Sequence, residues 1–147
     1  MPDTRFTVIG AGHGGKAMAA HLALMGYPVT LYNRTFLNVS AIASRGGLDI
    51  DSFDGGPRGF ARLTRVTSDP EVGADADVLM VVVPSSGHGE IAARFAPFLR
   101  DGQMVILHPG RTGGAMEVRQ VLDQCGCTAR ILLAETETLI YASRSDG

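Results

Sequence analysis

A glycine-rich segment near the start of the chain constrains its fold more than any other feature. The segment Gly10-Ala11-Gly12-His13-Gly14-Gly15 follows a short apolar run and precedes a series of small and apolar residues that stops at Gly26. A G-x-G-x-x-G spacing between a predicted strand and a predicted helix is typical of the first turn of a dinucleotide-binding βαβ unit. In that turn the first glycine permits the bend, the second lets the backbone approach a pyrophosphate, and the third allows the helix to pack closely on the sheet. The N-terminus of the helix favours binding of the phosphate charge. A purely structural Gly-rich turn is the alternative. The predicted cradle consists of Gly10, Gly12, His13, Gly14 and Gly15.

The bulk properties are those of one globular domain. The chain has 147 residues, of which 45% are hydrophobic and 19% charged, and its formal net charge is −2. Length and composition therefore predict a single domain over residues 1–147, and the glycine-rich segment predicts that this domain binds a dinucleotide such as NAD(P). There is no basic block for nucleic acid and no apolar stretch of the roughly 20 residues that a membrane span needs, so neither partner is expected. The first residues lack the layout of a signal peptide, which predicts a cytoplasmic protein.

No metal site is predicted. The two cysteines, Cys125 and Cys127, have no second cluster of Cys or His to complete a site. The acids Asp49, Asp51 and Asp54 lack the remaining ligands of an EF-hand.

Apolar segments alternate with helical patterns, which predicts an α/β fold with a Rossmann-type, doubly wound, mostly parallel sheet. Predicted strands cover residues 5–10, 28–32, 77–83, 104–107 and 129–134, with a further one at 139–142. Predicted helices cover residues 13–25, 36–45, 89–98 and 115–124. Around residues 48–63 two alternating segments flank a breaker-rich stretch, which predicts an antiparallel hairpin or an irregular excursion.

The end of the second strand is expected to select the cofactor. In this fold an acid at that position hydrogen-bonds a free ribose 2′-hydroxyl and repels a 2′-phosphate. This chain has Asn33, Arg34 and Thr35 there instead, and the planar guanidinium of Arg34 suits phosphate oxygens. The trio resembles the 2′-phosphate-reading turn of 6-phosphogluconate dehydrogenases. NADP(H) is therefore favoured over NAD(H), which remains the alternative if Arg34 only faces solvent.

The nicotinamide end is expected at the carboxyl ends of the later strands, near the switch point of the sheet. A proline directly after a strand has no N–H and can present a flat apolar surface to a ring. The predicted lining consists of Val83, Pro84, Ser85, Pro109 and Gly110.

Three further residues are candidates for the substrate side, namely His88, Glu135 and Thr136. A solvated loop histidine and an exposed strand ladder are the alternatives, and His108 is expected to be structural. Reduction of an imine or a carbonyl needs a proton donor, commonly a His oriented by a carboxylate. No pair in the chain supplies one convincingly, so no catalytic residue is assigned.

Four motifs in order make the chain resemble the N-terminal domain of the NAD(P)-dependent opine dehydrogenases, the octopine and nopaline dehydrogenase family. The motifs are Gly12 to Ala20 with Leu22-Ala23, Val81 to Pro84 with His88 and Ile91-Ala92, Pro109 to Glu117, and the segment from Glu135 to Arg144. The resemblance covers about residues 6–145. It implies NAD(P)H-dependent reductive condensation of an amino acid with a 2-oxo acid such as pyruvate.

The resemblance also implies a second, helical domain, which in family members holds a catalytic His–Asp pair and most substrate contacts. The sequence ends at Gly147, where that domain would begin, so the chain is expected to be a cofactor half with little turnover of its own. The rival interpretations are a ketopantoate-reductase-like or glycerol-3-phosphate-dehydrogenase-like oxidoreductase and a stand-alone nucleotide sensor, such as the regulatory domains of potassium transporters. Those sensors usually keep an acid where Asn33 and Arg34 stand. Assembly into a homodimer is left open.

Overall fold

The computed structural model describes residues 3–51, 56, 58–109 and 113–136, which alternate between strand and helix. In chain order the strands are β1 (Phe6–Ile9), β2 (Val29–Tyr32), β3 (Gly47–Ile50), β4 (Gly59–Arg62), β5 (Arg65–Thr67), β6 (Val78–Val81), β7 (Met104–Leu107) and β8 (Leu132–Glu135). The α-helices are α1 (His13–Leu24), α2 (Ser40–Arg45), α3 (Pro70–Gly73), α4 (His88–Phe95) and α5 (Gly114–Gln124). Single turns of 3₁₀ helix are Phe36–Val39 and Ser85–Gly87, which precede α2 and α4, and Ala96–Phe98, which follows α4.

Six of these strands form one parallel sheet in the order β5-β2-β1-β6-β7-β8. The chain winds outward from β1 to β5 on one side and resumes at β6 on the other side of β1. The strand order therefore reverses between β1 and β6, and ligands of doubly wound sheets bind at the crevice of such a reversal. The predicted Rossmann-type fold is confirmed.

The predicted excursion is an antiparallel hairpin. Strands β3 and β4 pair from Gly47 opposite Arg62 to Ile50 opposite Gly59. Most of the breaker-rich connection, residues 52–55 and 57 with Asp54 among them, lies outside the described residues. Both strands pack against α1, so the hairpin covers the outer side of the helix that follows the glycine segment.

Side chains that alternate along the strands supply two separate cores, one on each face of the sheet. On one face Val8 and Leu31 pack with Met18 of α1 and Ile42 of α2. On the other face lie apolar residues of β1, β6, β7, α4 and α5, namely Ile9, Leu79, Val81, Phe95, Leu107 and Leu122. Burial of both faces explains why the central strands consist of continuous apolar runs.

The sheet differs from the sequence-based expectation at both edges. The edge strand β5 was not predicted, because it has only three residues and too little alternation to reveal a period. The predicted strand at 129–134 begins later, at Leu132, where its pairing with Met104 sets the register. The predicted strand at 139–142 lies outside the described residues.

The last residues of the six parallel strands lie side by side in register, namely Thr67, Tyr32, Ile9, Val81, Leu107 and Glu135. The loops that follow these strands therefore leave the sheet along one edge. The predicted site residues that the structure describes lie at the ends of these strands, in the loops that follow or in the first turns of α1 and α4, so this carboxyl edge brings together segments distant in sequence.

The opposite edge holds an ion cluster. The carboxylate of Asp75 lies 3.0 Å from Arg5 Nη1, 3.2 Å from Arg100 Nη2 and 3.6 Å from Arg65 Nη2. The hydrogen bond from Arg5 and the three positive charges hold the pKa of Asp75 below its usual range. These contacts stabilise the amino edge of the sheet and lie away from the predicted site.

Among the helices of the described residues, none combines the length and apolar character required to cross a bilayer.

Candidate functional site

The glycine loop between β1 and α1 is held by close contacts that two of its glycines make possible. Gly10 has a φ of +111°, and a Cβ there would lie 2.8 Å from Val83 Cγ1 and would also strike the Val82 carbonyl. A Cβ on Gly15 would overlap the carbonyl oxygen of Gly10. Both positions therefore require glycine for packing within the protein itself.

Gly12 differs from those two positions. Its backbone is extended, with φ −75° and ψ −171°, and a Cβ built on it would meet nothing within 4 Å. The fold thus leaves open space where the dinucleotide motif needs backbone to approach a pyrophosphate. The first turn of α1 carries no acidic residue, so its positive helix end is not neutralised by an acid in that turn. The cradle fits the diphosphate of a dinucleotide.

Asn33 joins the end of β2 to the glycine loop. Its Oδ1 accepts a hydrogen bond from the Ala11 amide at 3.1 Å, and its Nδ2 donates to the Thr35 carbonyl at 2.9 Å. Its own amide donates to the Thr67 carbonyl at 3.0 Å. Sequence reasoning placed Asn33 near the ribose but missed these contacts, which fix the position of the glycine loop relative to β2.

Arg34 forms an ion pair with Glu90. Arg34 Nη1 donates to both carboxylate oxygens of Glu90, at 2.9 and 3.0 Å, and Glu90 also accepts from Arg94 Nε at 3.3 Å. The hydrogen bond from Arg34 lowers the pKa of the Glu90 carboxyl, so this group is ionised at neutral pH. Since Arg34 follows β2 and Glu90 lies in the first turn of α4, the pair connects the two sides of the glycine loop.

The segment after β6 lies beside the glycine loop. The Val83 side chain borders Gly10 and also Gly87, where a Cβ would lie 3.4 Å from Val83 Cγ2. Pro84 is extended and leads into the 3₁₀ turn that begins at Ser85. The structure thus brings Val83 into contact with the glycine loop at the strand-order reversal, with Pro84 and Ser85 exposed beside it.

His88 is fully buried rather than solvated. Its ring borders Gly114, where a Cβ would lie 3.5 Å from His88 Nδ1 and 3.2 Å from Glu135 Oε2. Within the part of the chain that the structure describes, neither ring nitrogen has a hydrogen-bond partner. A sequence signal for this burial exists, because His88, Ile91 and Phe95 are spaced i, i+3 and i+7 along α4 and share its buried face.

The two candidates at the end of β8, Glu135 and Thr136, contact the backbone of segments distant in sequence. Glu135 Oε2 accepts from the Ala115 amide at 3.0 Å, so it satisfies a donor in the first turn of α5. The Thr136 amide donates to the Leu107 carbonyl at 3.0 Å. Glu135 thus fixes the start of α5, a role that sequence reasoning did not assign.

His108 and Pro109 follow β7. His108 is buried, with Nε2 3.2 Å from Met80 Sδ, a placement that agrees with the structural role predicted for it. The peptide bond between His108 and Pro109 is cis, and Pro109 continues along the carboxyl edge. Gly110 lies outside the described residues. Among the residues that are described, no three His, Cys, Asp or Glu side chains come together as a metal site requires.

Acid pH is expected to destabilise the fold through His88. Burial lowers the pKa of His88, while the charge of Glu117, the nearby Val83 backbone and the charge of Glu135 oppose that shift in part. The unfolded chain therefore takes up this proton below about pH 6.5 before the folded chain does, and stability falls as pH falls through that window. In urea unfolding between pH 7 and about pH 5.5, the His88→Leu variant should lose part of the pH dependence, at most about 1.4 kcal/mol per pH unit.

The matched variant for this test is His108→Leu, because burial also lowers the pKa of His108. Each single variant should remove its own part of the slope, and the double variant should remove more than either. A slope that stays unchanged in His88→Leu would contradict the assignment of a buried, neutral His88.

The strand order, the glycine loop and the open space at Gly12 define a Rossmann-type dinucleotide-binding fold. The sequence profile of the family described as ketopantoate reductase PanE/ApbA matches residues 6–136, so the chain belongs to that family.

The known relatives that match the chain are dehydrogenases. It is 37% identical over 142 residues to an opine dehydrogenase of Arthrobacter sp. (strain 1C), covering 96% of this chain and 39% of that protein. It is 33% identical over 107 residues to an NAD(P)+ glycerol-3-phosphate dehydrogenase of Afipia carboxidovorans, covering 69% of this chain and 30% of that protein. The resemblance to opine dehydrogenases that the motifs indicated is confirmed. The chain spans about two fifths or less of these relatives.

Solved structures show the same fold. An octopine dehydrogenase described with NADH and L-arginine superimposes with a TM-score of 0.81 at 23% identity, covering 98% of this chain and 37% of that one. A ketopantoate reductase from Ralstonia eutropha JMP134 gives a TM-score of 0.68 at 21% identity, covering 88% of this chain and 40% of that one.

Proposed function

We propose that this chain is the NADP(H)-binding half of an opine-dehydrogenase-like oxidoreductase, which reductively condenses an amino acid with a 2-oxo acid. The open space at Gly12 carries the proposal, because the glycine there serves no packing need of the protein and fits a ligand that approaches the backbone closely. The identity of 37% to an opine dehydrogenase along nearly the whole chain supports the choice of reaction.

In this proposal different residues at the carboxyl edge bind different parts of the cofactor. The amides at the start of α1 hold the diphosphate, Arg34 binds the 2′-phosphate, and Asn33 keeps the glycine loop in place beside Thr35. The nicotinamide end is lined by Val83, Pro84, Ser85, Pro109 and Gly110. When bound, the cofactor supplies a hydride.

The proposed chemistry balances as a condensation followed by a reduction. The amine of the amino acid adds to the keto carbon of the 2-oxo acid, water leaves, and a C=N bond forms. A hydride adds to its carbon and a proton to its nitrogen, giving a secondary amine. Glu135 and Thr136 are proposed on the substrate side of this chain. Because His88 is fully buried, it is not proposed to contact substrate directly. The proton donor is proposed to lie in a second domain of the protein.

The test is NADPH oxidation by the purified protein that includes the proposed second domain, with pyruvate and a panel of amino acids. Oxidation is expected to require both substrates, and the product mass should equal the sum of the two less one oxygen atom. NADPH oxidation with the oxo acid alone, which yields a 2-hydroxy acid, would contradict the proposal.

The family match supports a second candidate, an oxidoreductase of the ketopantoate reductase type. The same assay distinguishes it, since ketopantoate would then be reduced without any amine. Reduction of NADP+ in the presence of glycerol 3-phosphate would instead indicate an activity of the glycerol-3-phosphate dehydrogenase type.

A cytoplasmic location is part of the proposal. The free thiols of Cys125 and Cys127 support it, because disulfides are rare in a reducing compartment.

A further inference from the structure

We infer that Glu90 sets how strongly the protein prefers NADPH over NADH, because its carboxylate competes with the 2′-phosphate for the guanidinium of Arg34. This inference rests on the proposed function, since it concerns recognition of the same cofactor.

The contact between the two side chains is the kind that a phosphate would replace. Arg34 Nη1 donates to both Glu90 oxygens at 2.9 and 3.0 Å, and the two side chains are 59% and 45% exposed. A guanidinium binds carboxylate and phosphate with the same donor geometry. An exposed pair of this kind contributes little to stability, because water screens both charges, so a ligand can displace it.

The position of the pair places it across the proposed adenosine end of the site. Arg34 follows β2 and Glu90 lies in α4 after β6, while β2 and β6 are the two neighbours of β1 in the sheet. The pair therefore crosses the end of β1, where the glycine loop begins.

A second contact keeps the Glu90 charge in place when Arg34 turns away. Arg94, one helical turn further along α4, donates from Nε to Glu90 Oε1 at 3.3 Å. A 2′-phosphate bound by Arg34 would thus stand near a carboxylate that remains ionised and partly anchored. NADH carries no 2′-phosphate and has no need of the Arg34 guanidinium, so Glu90 weakens NADPH binding selectively.

The experiment compares dissociation constants for NADPH and NADH in the wild-type protein and in Glu90→Gln, measured by calorimetric titration. The glutamine keeps the size of the side chain and removes its charge. NADPH should bind about 3- to 5-fold more tightly, as expected for removal of one exposed competing charge near the site. NADH affinity should change by less than about twofold.

The matched control is Asp49→Asn, which breaks the exposed Arg45–Asp49 pair, whose separation is 2.8 Å, on the small hairpin side of the molecule. Like Glu90→Gln, this variant removes one negative charge, and it should change neither the affinity for NADPH nor that for NADH. Glu90→Gln introduced into an Arg34→Ala background should give a smaller gain for NADPH than in the wild-type protein, because no guanidinium is then left for the carboxylate and the phosphate to compete for.

Each outcome decides the matter. Equal shifts for both cofactors in Glu90→Gln, no shift, or weaker NADPH binding would each overturn the role of Glu90 while leaving the proposed cofactor site in place. A wild-type protein that binds neither cofactor would overturn the proposed function, and this inference with it.

Discussion

Replacing Gly12 with valine is expected to abolish binding of both nicotinamide cofactors while the protein stays folded. The backbone at Gly12 is extended, a conformation that valine adopts readily, and the new side chain would meet no protein atom within 4 Å of its Cβ. The added methyl groups would instead occupy the space in which a diphosphate must approach the backbone. Affinity for NADPH and for NADH should fall at least about 100-fold, comparable to removing several charge-assisted hydrogen bonds.

The measurement pairs titration with each cofactor and thermal unfolding. Valine is a poorer helix N-cap residue than glycine, so stability should fall by no more than about 1 kcal/mol. Gly15→Ala provides the contrast, because its Cβ would overlap the Gly10 carbonyl and should destabilise the fold by about 3 kcal/mol. Retained cofactor binding in a folded Gly12→Val protein would exclude this loop as the cradle.

The fold was predictable from sequence because its demands are local. The glycine spacing between a strand and a helix, and the continuous apolar runs at Val78–Val81 and Met104–Leu107, each indicate one element of a parallel sheet. Edge strands are harder to predict. The strand β5 pairs with β2 through three residues only, and the half-exposed β8 takes its start from the register of β7. Neither the pairing of β5 with β2 nor the register of β8 against β7 can be read from the sequence of the edge strand itself.

The site was predictable to the extent that parallel strands end at one edge. This rule alone brings the residues after β1, β2 and β6 together, which is why Asn33 and Val83 both contact the glycine loop. The partners of those residues were not predictable. Arg34 meets Glu90 across 56 positions of sequence, and Asn33 meets Ala11 across 22, and such pairs depend on how two loops pack in space. His88 is an intermediate case, since its place on the apolar face of α4 could have been read from the spacing.

The Arg34→Asp variant is expected to bind NADPH more weakly by about 1–3 kcal/mol, the contribution of a charge-assisted hydrogen bond. The substitution removes the guanidinium and adds a negative charge near Glu90. Two carboxylates would then repel the 2′-phosphate. NADH affinity should change far less, because its ribose carries no phosphate, and the protein should shift from NADPH towards NADH.

The matched control for this reversal of charge is Arg45→Asp, which alters another exposed Arg–carboxylate pair, the one with Asp49 at 2.8 Å. Competition titrations of NADPH against NADH in the two variants separate a local effect from a general one, since both change the net charge by the same amount. An unchanged NADPH affinity in Arg34→Asp would remove Arg34 from the site. Equal losses for both cofactors would instead show that the substitution had displaced the loop that Asn33 anchors to Ala11, and the preference for NADPH would then need another source.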